Sequence, residues 1–328
     1  VWDGFEERVL IADFDQGLLN PDGNNTLHLR NPYLSGETPV QWLDDIEISY
    51  TRRPIAHDGT LWLHSAEDGV QAVSGFTGNN IFVIESHTHQ PPDDYDGPGS
   101  DRIKVFVDQD DDGKADGMSI FADGIRQAMN LAFSPSGELY VVCAREVLHL
   151  VDEDNDGKCE RKEQVIQLVT KQRYAHNSLL GITFDRDGWM YVSRGNVGAE
   201  HYRFEGQDNS FVDGHGDGGS VIRCRPDGTK ISEFATGFWN PFDLKFDRSG
   251  RLLLVDNDPD ARGPNRLLQV VRGGDYGYKS MFGGSGTHPF QGWDGTLPGT
   301  LPFISGTGEA PSGLIDCRRS SFPIDYQQ

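Results

Sequence analysis

The sequence predicts an all-β fold, a β-propeller built of four-stranded blades, and three observations predict it. A phrase made of an apolar run, a glycine turn and a strand recurs along the chain. A second hairpin follows that phrase within each unit. Gly 40 and Pro 17 supply turns throughout the 328 residues, and no long stretch keeps a helical period.

The elements follow in chain order. Residues 1–70 carry only fragments of the pattern, such as IAHDGTLWLHS at 55–65, and read as an N-terminal segment or insertion with outer strands. The propeller spans 71–328. GFTGNNIFVIE (75–85) is a weak copy of the phrase; NLAFSPSGELYVV (130–142), GITFDRDGWMYVS (181–193) and DLKFDRSGRLLLV (243–255) are full copies. Their anchors Phe76, Phe133, Phe184 and Phe246 stand 57, 51 and 62 residues apart. The second hairpin is seen in RIKVFVD (102–108), which puts Ile103, Val105 and Val107 on one face and returns as MSIFADGI. It recurs in VIRCRPDGTKISEFATGF (221–238) around a PDG turn. Two hairpins in roughly 50–60 residues make one four-stranded blade. A last start, SGLIDC at 312–317, is followed by only the residues up to Gln328. The propeller is therefore expected to be incomplete here, closed by further C-terminal chain or by a partner.

Bulk properties exclude several classes. Lys+Arg 29 against Asp+Glu 51 gives a formal net charge of −22, which repels phosphate backbones and excludes nucleic acid as a partner. A hydrophobic share of 36% and a mean hydropathy of −0.53 describe a chain with a core. No apolar run approaches the ~20 residues of a membrane-spanning helix. The chain begins at Val1 without a signal peptide, so any targeting segment is expected to have been removed or left out. Cys143, Cys159, Cys224 and Cys317 form no CxxC pair, so neither a zinc ribbon nor an attached haem is indicated. Cys143 and Cys224 lie in apparent strands as small buried side chains.

Two loops carry metal-ligand spacing. VDEDNDGKCERKE (151–163) places Asp152, Asp154, Asp156, Gly157 and Glu163 as a calcium loop requires. VDQDDDGKADG (107–117) repeats the spacing with Asp108, Asp110, Asp112, Gly113 and Asp116, but has Ser119 in place of the terminal Glu. Both sit at the hairpin tip that PDG fills in another blade, so neither has the flanking helices of a calcium sensor. Acids at alternate positions converge oxygens on a hard cation; the alternative is a turn whose side chains cap their own backbone. As calcium sites, these loops would staple hairpin tips.

His176, just before an inner strand, stands where propeller loops meet the central channel. It is either a general base or a satisfied structural histidine. His87 and His89 in ESHTHQ would share a face if the strand continues, giving half of a metal site. DNDPDARGPNR (256–266) offers clustered oxygens, and DGHGDGG (213–219) reads as a flexible loop with His215 in it. No nucleophile-elbow, Walker or dinucleotide fingerprint appears.

AHNSLLGITFDRDGWMYVSRGN, FATGFWNPFDLKFDRSGRLLLVDNDPDA and VVRGGDYGY resemble the soluble glucose/sorbosone dehydrogenase superfamily. ESHTHQPPDDYDGPGSDRIKVFVDQDDDGKADG is similar, more narrowly, to the membrane-bound dehydrogenases of planctomycetes and verrucomicrobia. The likeness covers about residues 70–328. It implies a six-bladed propeller, pyrroloquinoline quinone and calcium as cofactors, and oxidation of a sugar or alcohol. It also implies an electron-acceptor protein as a possible partner and a periplasmic, extracellular or cell-surface place in a bacterium. By position it makes His176 the base, Asn240 a quinone contact, and the Asp258 and Pro259 carbonyls ligands of a catalytic calcium. Trp239 stands where the family has an arginine, and Arg194 in SRGN is the candidate substitute cation. Two rivals remain: a calcium-dependent lactonase-type hydrolase, and a non-enzymatic propeller that binds carbohydrate or protein.

Overall fold

Each copy of the recurring phrase folds into an antiparallel hairpin, for a reason written in its turn. In FDRDG the Asp185 carboxylate accepts from the Asp187 and Trp189 amides (2.9 and 2.8 Å), and in FDRSG Asp247 accepts from Ser249 and Arg251 (2.8 and 2.9 Å). The glycine that follows has positive φ in all three full copies: 89° at Gly137, 73° at Gly188 and 79° at Gly250. The structure, a computed structural model, describes residues 73–77, 80–109, 114–174, 176–196 and 198–315, all within the unit Arg52–Gln328. The expected segment 1–70, Asp110, Asp112 and Cys317 lie outside the described residues.

The hairpins assemble into four sheets that are the predicted blades. The first is β1 (Val73–Thr77), β2 (Asn80–Glu85), β3 (Asp101–Val107) and β4 (Gly117–Ile125), paired in chain order. The second is β5 (Ala128–Phe133), β6 (Leu139–Cys143), β7 (Glu146–Val151) and β8 (Arg161–Thr170). The third is β9 (Leu179–Phe184), β10 (Met190–Arg194), β13 (Gly219–Cys224) and β14 (Ser232–Phe238). Between β10 and β13 the chain makes a hairpin, β11 (His201–Glu205) and β12 (Phe211–His215), that joins the outer edge of the second blade through β8. Residues 213–215 are therefore strand, where the glycines suggested a flexible loop. The fourth blade is β15 (Asn240–Phe246), β16 (Leu252–Asn257), β17 (Arg266–Val270) and the short β19 (Ser305–Gly306). A short β18 (Gly274–Asp275) runs parallel to β14.

The first strands of successive blades, β1, β5, β9 and β15, lie beside one another in that order. Three apolar clusters fill the three gaps between the blades. The anchor phenylalanines lock this stacking. Phe133 packs edge-on against Phe82 (5.1 Å) and Phe246 edge-on against Tyr191 (5.0 Å), while Phe184 lies tilted against Tyr140 (5.2 Å), each reaching back one blade. This is why the phenylalanine recurs: it belongs to the contact between blades. Cys143 and Cys224 are buried free thiols, as their strands predicted.

Candidate functional site

Antiparallel order brings the end of the second strand and the end of the fourth strand to the same edge of every blade. At that edge stand the loop after β2, the segment 171–178 before β9, the residues after β10, the β14–β15 junction and the loop after β16. They bring His89, His176, Tyr174 and Phe242 together. The His176 ring stacks on His89 (6.1 Å, 14°), meets Tyr174 at 5.1 Å and Phe242 edge-on at 5.2 Å. Its Nδ1 lies 3.4 Å from the Tyr174 hydroxyl. Burial, reinforced by the neighbouring His89, lowers the His176 pKa, and burial lowers that of His89. Both rings are thus neutral at pH 7, the state a general base needs.

His89 was legible only as half of an H-x-H motif, and the strand it was read from stops at Glu85. The loop turns because the fully buried Asp101 carboxylate gathers four donors: the His87 and Thr88 amides (2.6 and 2.8 Å), the Thr88 hydroxyl (2.9 Å) and the Ala128 amide (2.8 Å). His87 is sent to the Tyr95 hydroxyl (2.6 Å), and His89 to His176. The two histidines part, so the shared metal face is not assembled. The His89 Nδ1 is buried without a hydrogen-bond partner, on the group that contains the predicted base.

His176 is held from behind by its backbone. A Cβ on Gly195 would stand 1.8 Å from the His176 carbonyl oxygen and 2.8 Å from the Asn240 amide, so only glycine fits there. With its amide oriented to satisfy every group, Asn240 donates to the carbonyls of His176 (3.3 Å) and Trp239 (2.9 Å) and accepts from the Trp239 indole (3.0 Å). Asn240 is buried at 3% exposure, and its amide is spent on the site's own frame. Trp239 is half-buried, its ring edge-on to Tyr278 at 4.9 Å. Beneath it Asp256 and Arg266, both fully buried, form an ion pair at 2.8 Å. Asp256 also accepts from the Trp239 amide (3.1 Å), tying β16 to the start of β15.

Arg194 is corrected by its burial. At 0% exposure its guanidinium donates to Ser220 Oγ (3.2 Å) and to the Gly195 and Gly218 carbonyls (3.1 and 2.7 Å), and lies 3.6 Å over the Tyr202 ring. It is a cation of the blade interior with no surface to offer a ligand. In the 256–260 loop, Asp258 caps Asp260 (2.9 Å), and the Pro259 carbonyl accepts from Ala261 (2.5 Å). The neighbouring Asn257 Oδ1, which sequence reasoning missed, is a buried acceptor without a donor.

The loop at 152–163 gathers oxygens. Carboxylate oxygens of Asp152, Asp154, Asp156 and Glu160 lie within 4.8 Å of one another. Asp156 N donates to Asp152 and Asp154 (3.1 Å each), Gly157 N donates to Asp152 (3.0 Å), and Asn155 and Gly157 take positive φ of 61° and 84°. This donor set fits a hard, oxygen-seeking cation such as calcium. Glu163 is not part of it: it lies in β8, paired with His149 (3.3 Å) and Arg161. The spacing pattern counted to Glu163 because a helix normally follows; here a strand does, and Glu160 arrives first. In the sister loop, Asp116 accepts from the Gln109 amide (2.7 Å) and Asp108 is also engaged, while Asp110 and Asp112 lie outside the described residues.

A family model described as a domain of unknown function (DUF7133) matches residues 57–272. No curated protein sequence matches. Among solved structures, a glucose dehydrogenase-type oxidoreductase of Thermus thermophilus is similar at 18% identity, over 70% of this chain and 66% of that one, with a TM-score of 0.46. The apo aldose sugar dehydrogenase of Escherichia coli is similar at 16% identity, over 54% and 59%, with a TM-score of 0.40. The PQQ domain of a Coprinopsis cinerea pyranose dehydrogenase is similar at 12% identity, over 67% and 53%, with a TM-score of 0.44. The chain spans less than two thirds of the length of each.

Proposed function

The chain belongs to the DUF7133 family, and for it we propose a calcium-binding propeller that acts on sugar or alcohol hydroxyls as an oxidoreductase, with His176 as the base. The observation that carries the reading is the His176 group: a neutral imidazole, half-buried, fixed by stacking and by Gly195, among aromatic rings that suit a sugar face. His176 would take the hydroxyl proton while the hydride on the carbinol carbon passes to an acceptor that the described residues do not themselves hold. Calcium belongs at Asp152, Asp154, Asp156 and Glu160, where it would neutralise converging carboxylates and hold the β7–β8 tip. A strongly acidic surface and a calcium staple suit a periplasmic or extracellular place.

The quinone is another matter. Pyrroloquinoline quinone would supply the hydride acceptor, and its carboxylates need cations. Trp239 supplies a ring, the Asn240 amide is engaged and Arg194 is fully buried. The described residues around His176 therefore do not fit that group unaided, and an acceptor would have to be completed by chain or partner outside them. The same observation favours a second reading, a carbohydrate-binding propeller without turnover.

Full-length protein with calcium, assayed by dye reduction with sugars and alcohols, with and without the quinone, tests this. Turnover that disappears in His176→Ala is the expected result. Sugar binding without turnover selects the second reading, lactone hydrolysis with calcium alone selects a hydrolase, and neither binding nor turnover refutes all three.

A further inference from the structure

A cavity of about 650 Å³ opens at the same edge of the second blade, lined by Gln127, Arg145, Thr170, Lys171, Gln172 and Arg173. In a chain of formal net charge −22, this lining holds three cations and no acid. Some cations elsewhere pair with carboxylates, such as Arg102 with Asp123 (3.1 Å), Lys104 with Glu85 (2.5 Å), Arg251 with Asp247 (2.6 Å) and Lys279 with Asp275 (2.8 Å). The side chains of Lys171 and Arg173 are exposed and make no ion pair or hydrogen bond among the described residues.

Arg145 is different and explains why the cavity has a fixed wall. It is half-buried and donates to the carbonyls of Ala144 (3.3 Å), Asn177 (2.7 Å) and Gln172, so it ties Gln172 and Asn177 to the β6–β7 turn. Its charge is not cancelled by those neutral acceptors. Thr170 is turned away, its hydroxyl donating to the His201 carbonyl (2.9 Å). What faces a ligand is therefore the ammonium of Lys171, the guanidinium of Arg173 and the amides of Gln127 and Gln172, over a fixed positive charge. Ammonium and guanidinium donors of this kind match carboxylate or phosphate oxygens.

We propose that this cavity binds a small molecule bearing a carboxylate or phosphate oxyanion. The acidic remainder of the surface excludes an extended polyanion. The site stands whether or not the His176 group oxidises anything.

Calorimetric titration of the full chain with glucuronate, glucose 6-phosphate and glucose tests it. At least one anion is expected to bind about tenfold or more tightly than glucose, more weakly as salt rises. Preference between the two anions identifies the carboxylate or phosphate source. Lys171→Ala with Arg173→Ala is expected to weaken anion binding about tenfold or more, with an unchanged Tm because both side chains are exposed. His176→Ala is expected to leave anion binding intact, which separates this site from the proposed base. Anions that bind no better than glucose, or a double variant that binds them as well as the parent, would overturn the proposal.

Discussion

Replacing Arg266 by Met tests the frame beneath the site. Arg266 is 0% exposed and pairs with Asp256, also 0% exposed, at 2.8 Å. It also donates to the carbonyls of Tyr276 (2.9 Å), Trp293 (2.7 Å) and Gly237 (3.1 Å) and lies 3.4 Å over the Trp293 ring. Met fills similar volume but strands a buried carboxylate, and breaking such a pair from one side costs about 3–5 kcal/mol. For a unit of this size that is a fall in Tm of roughly 6–20 °C. Burial already pushes the Asp256 carboxyl up against the pull of Arg266, and in the variant that push is opposed only by the Trp239 and Asn240 amides. A carboxyl raised in the folded state holds a proton that the unfolded chain has released. Stability then falls as pH rises through the folded value. The deficit of Arg266→Met should therefore be largest near pH 8 and shrink towards pH 5. Adding Asp256→Asn, which keeps an acceptor for the Trp239 amide, should recover most of the loss. Urea denaturation at both pH values measures this. A loss below about 1 kcal/mol, or one that ignores pH, would refute the reasoning, because buried charge without a partner cannot be that cheap.

Other predictions follow from the site. His176→Ala should lower turnover by about 10²–10⁴-fold with little change in Tm, read by dye reduction and thermal denaturation. Because His176 works neutral and its pKa is lowered by burial and by His89, kcat/KM should hold until pH drops through that lowered value. His89→Gln should move this acid limb to higher pH, seen in the pH–rate profile. Gly195→Ala should cost about 1–3 kcal/mol and disturb His176 at once, since its methyl meets a backbone carbonyl. Calcium at a hundred times its Kd should stabilise the chain by about 2.7 kcal/mol in thermal denaturation. Glu160→Gln should weaken that effect and Glu163→Gln should not.

What could be read from the sequence is what depends on local period and turn chemistry. The FDRDG and FDRSG turns, the alternation in β3 and the recurring phenylalanine announced the blades, since each acts within a hairpin or on the blade just before it. The site was legible in part. His176 stood out by its place before an inner strand, but its partner His89 was hidden, because Asp101, not the H-x-H spacing, sets that loop's path. Glu160 was passed over because the calcium-loop count assumes a helix where β8 follows. Charge was the hardest to read. Arg194 looked like a cation for a ligand and is spent inside a blade; Lys171 and Arg173 carried no motif, and they line a cavity with no ion pair among the described residues. Sequence gives the sign of a side chain, but burial decides whether that charge is already answered. Two exposed cations and Arg145 line one cavity with no carboxylate among its described lining residues, which makes an external anion the partner to test first.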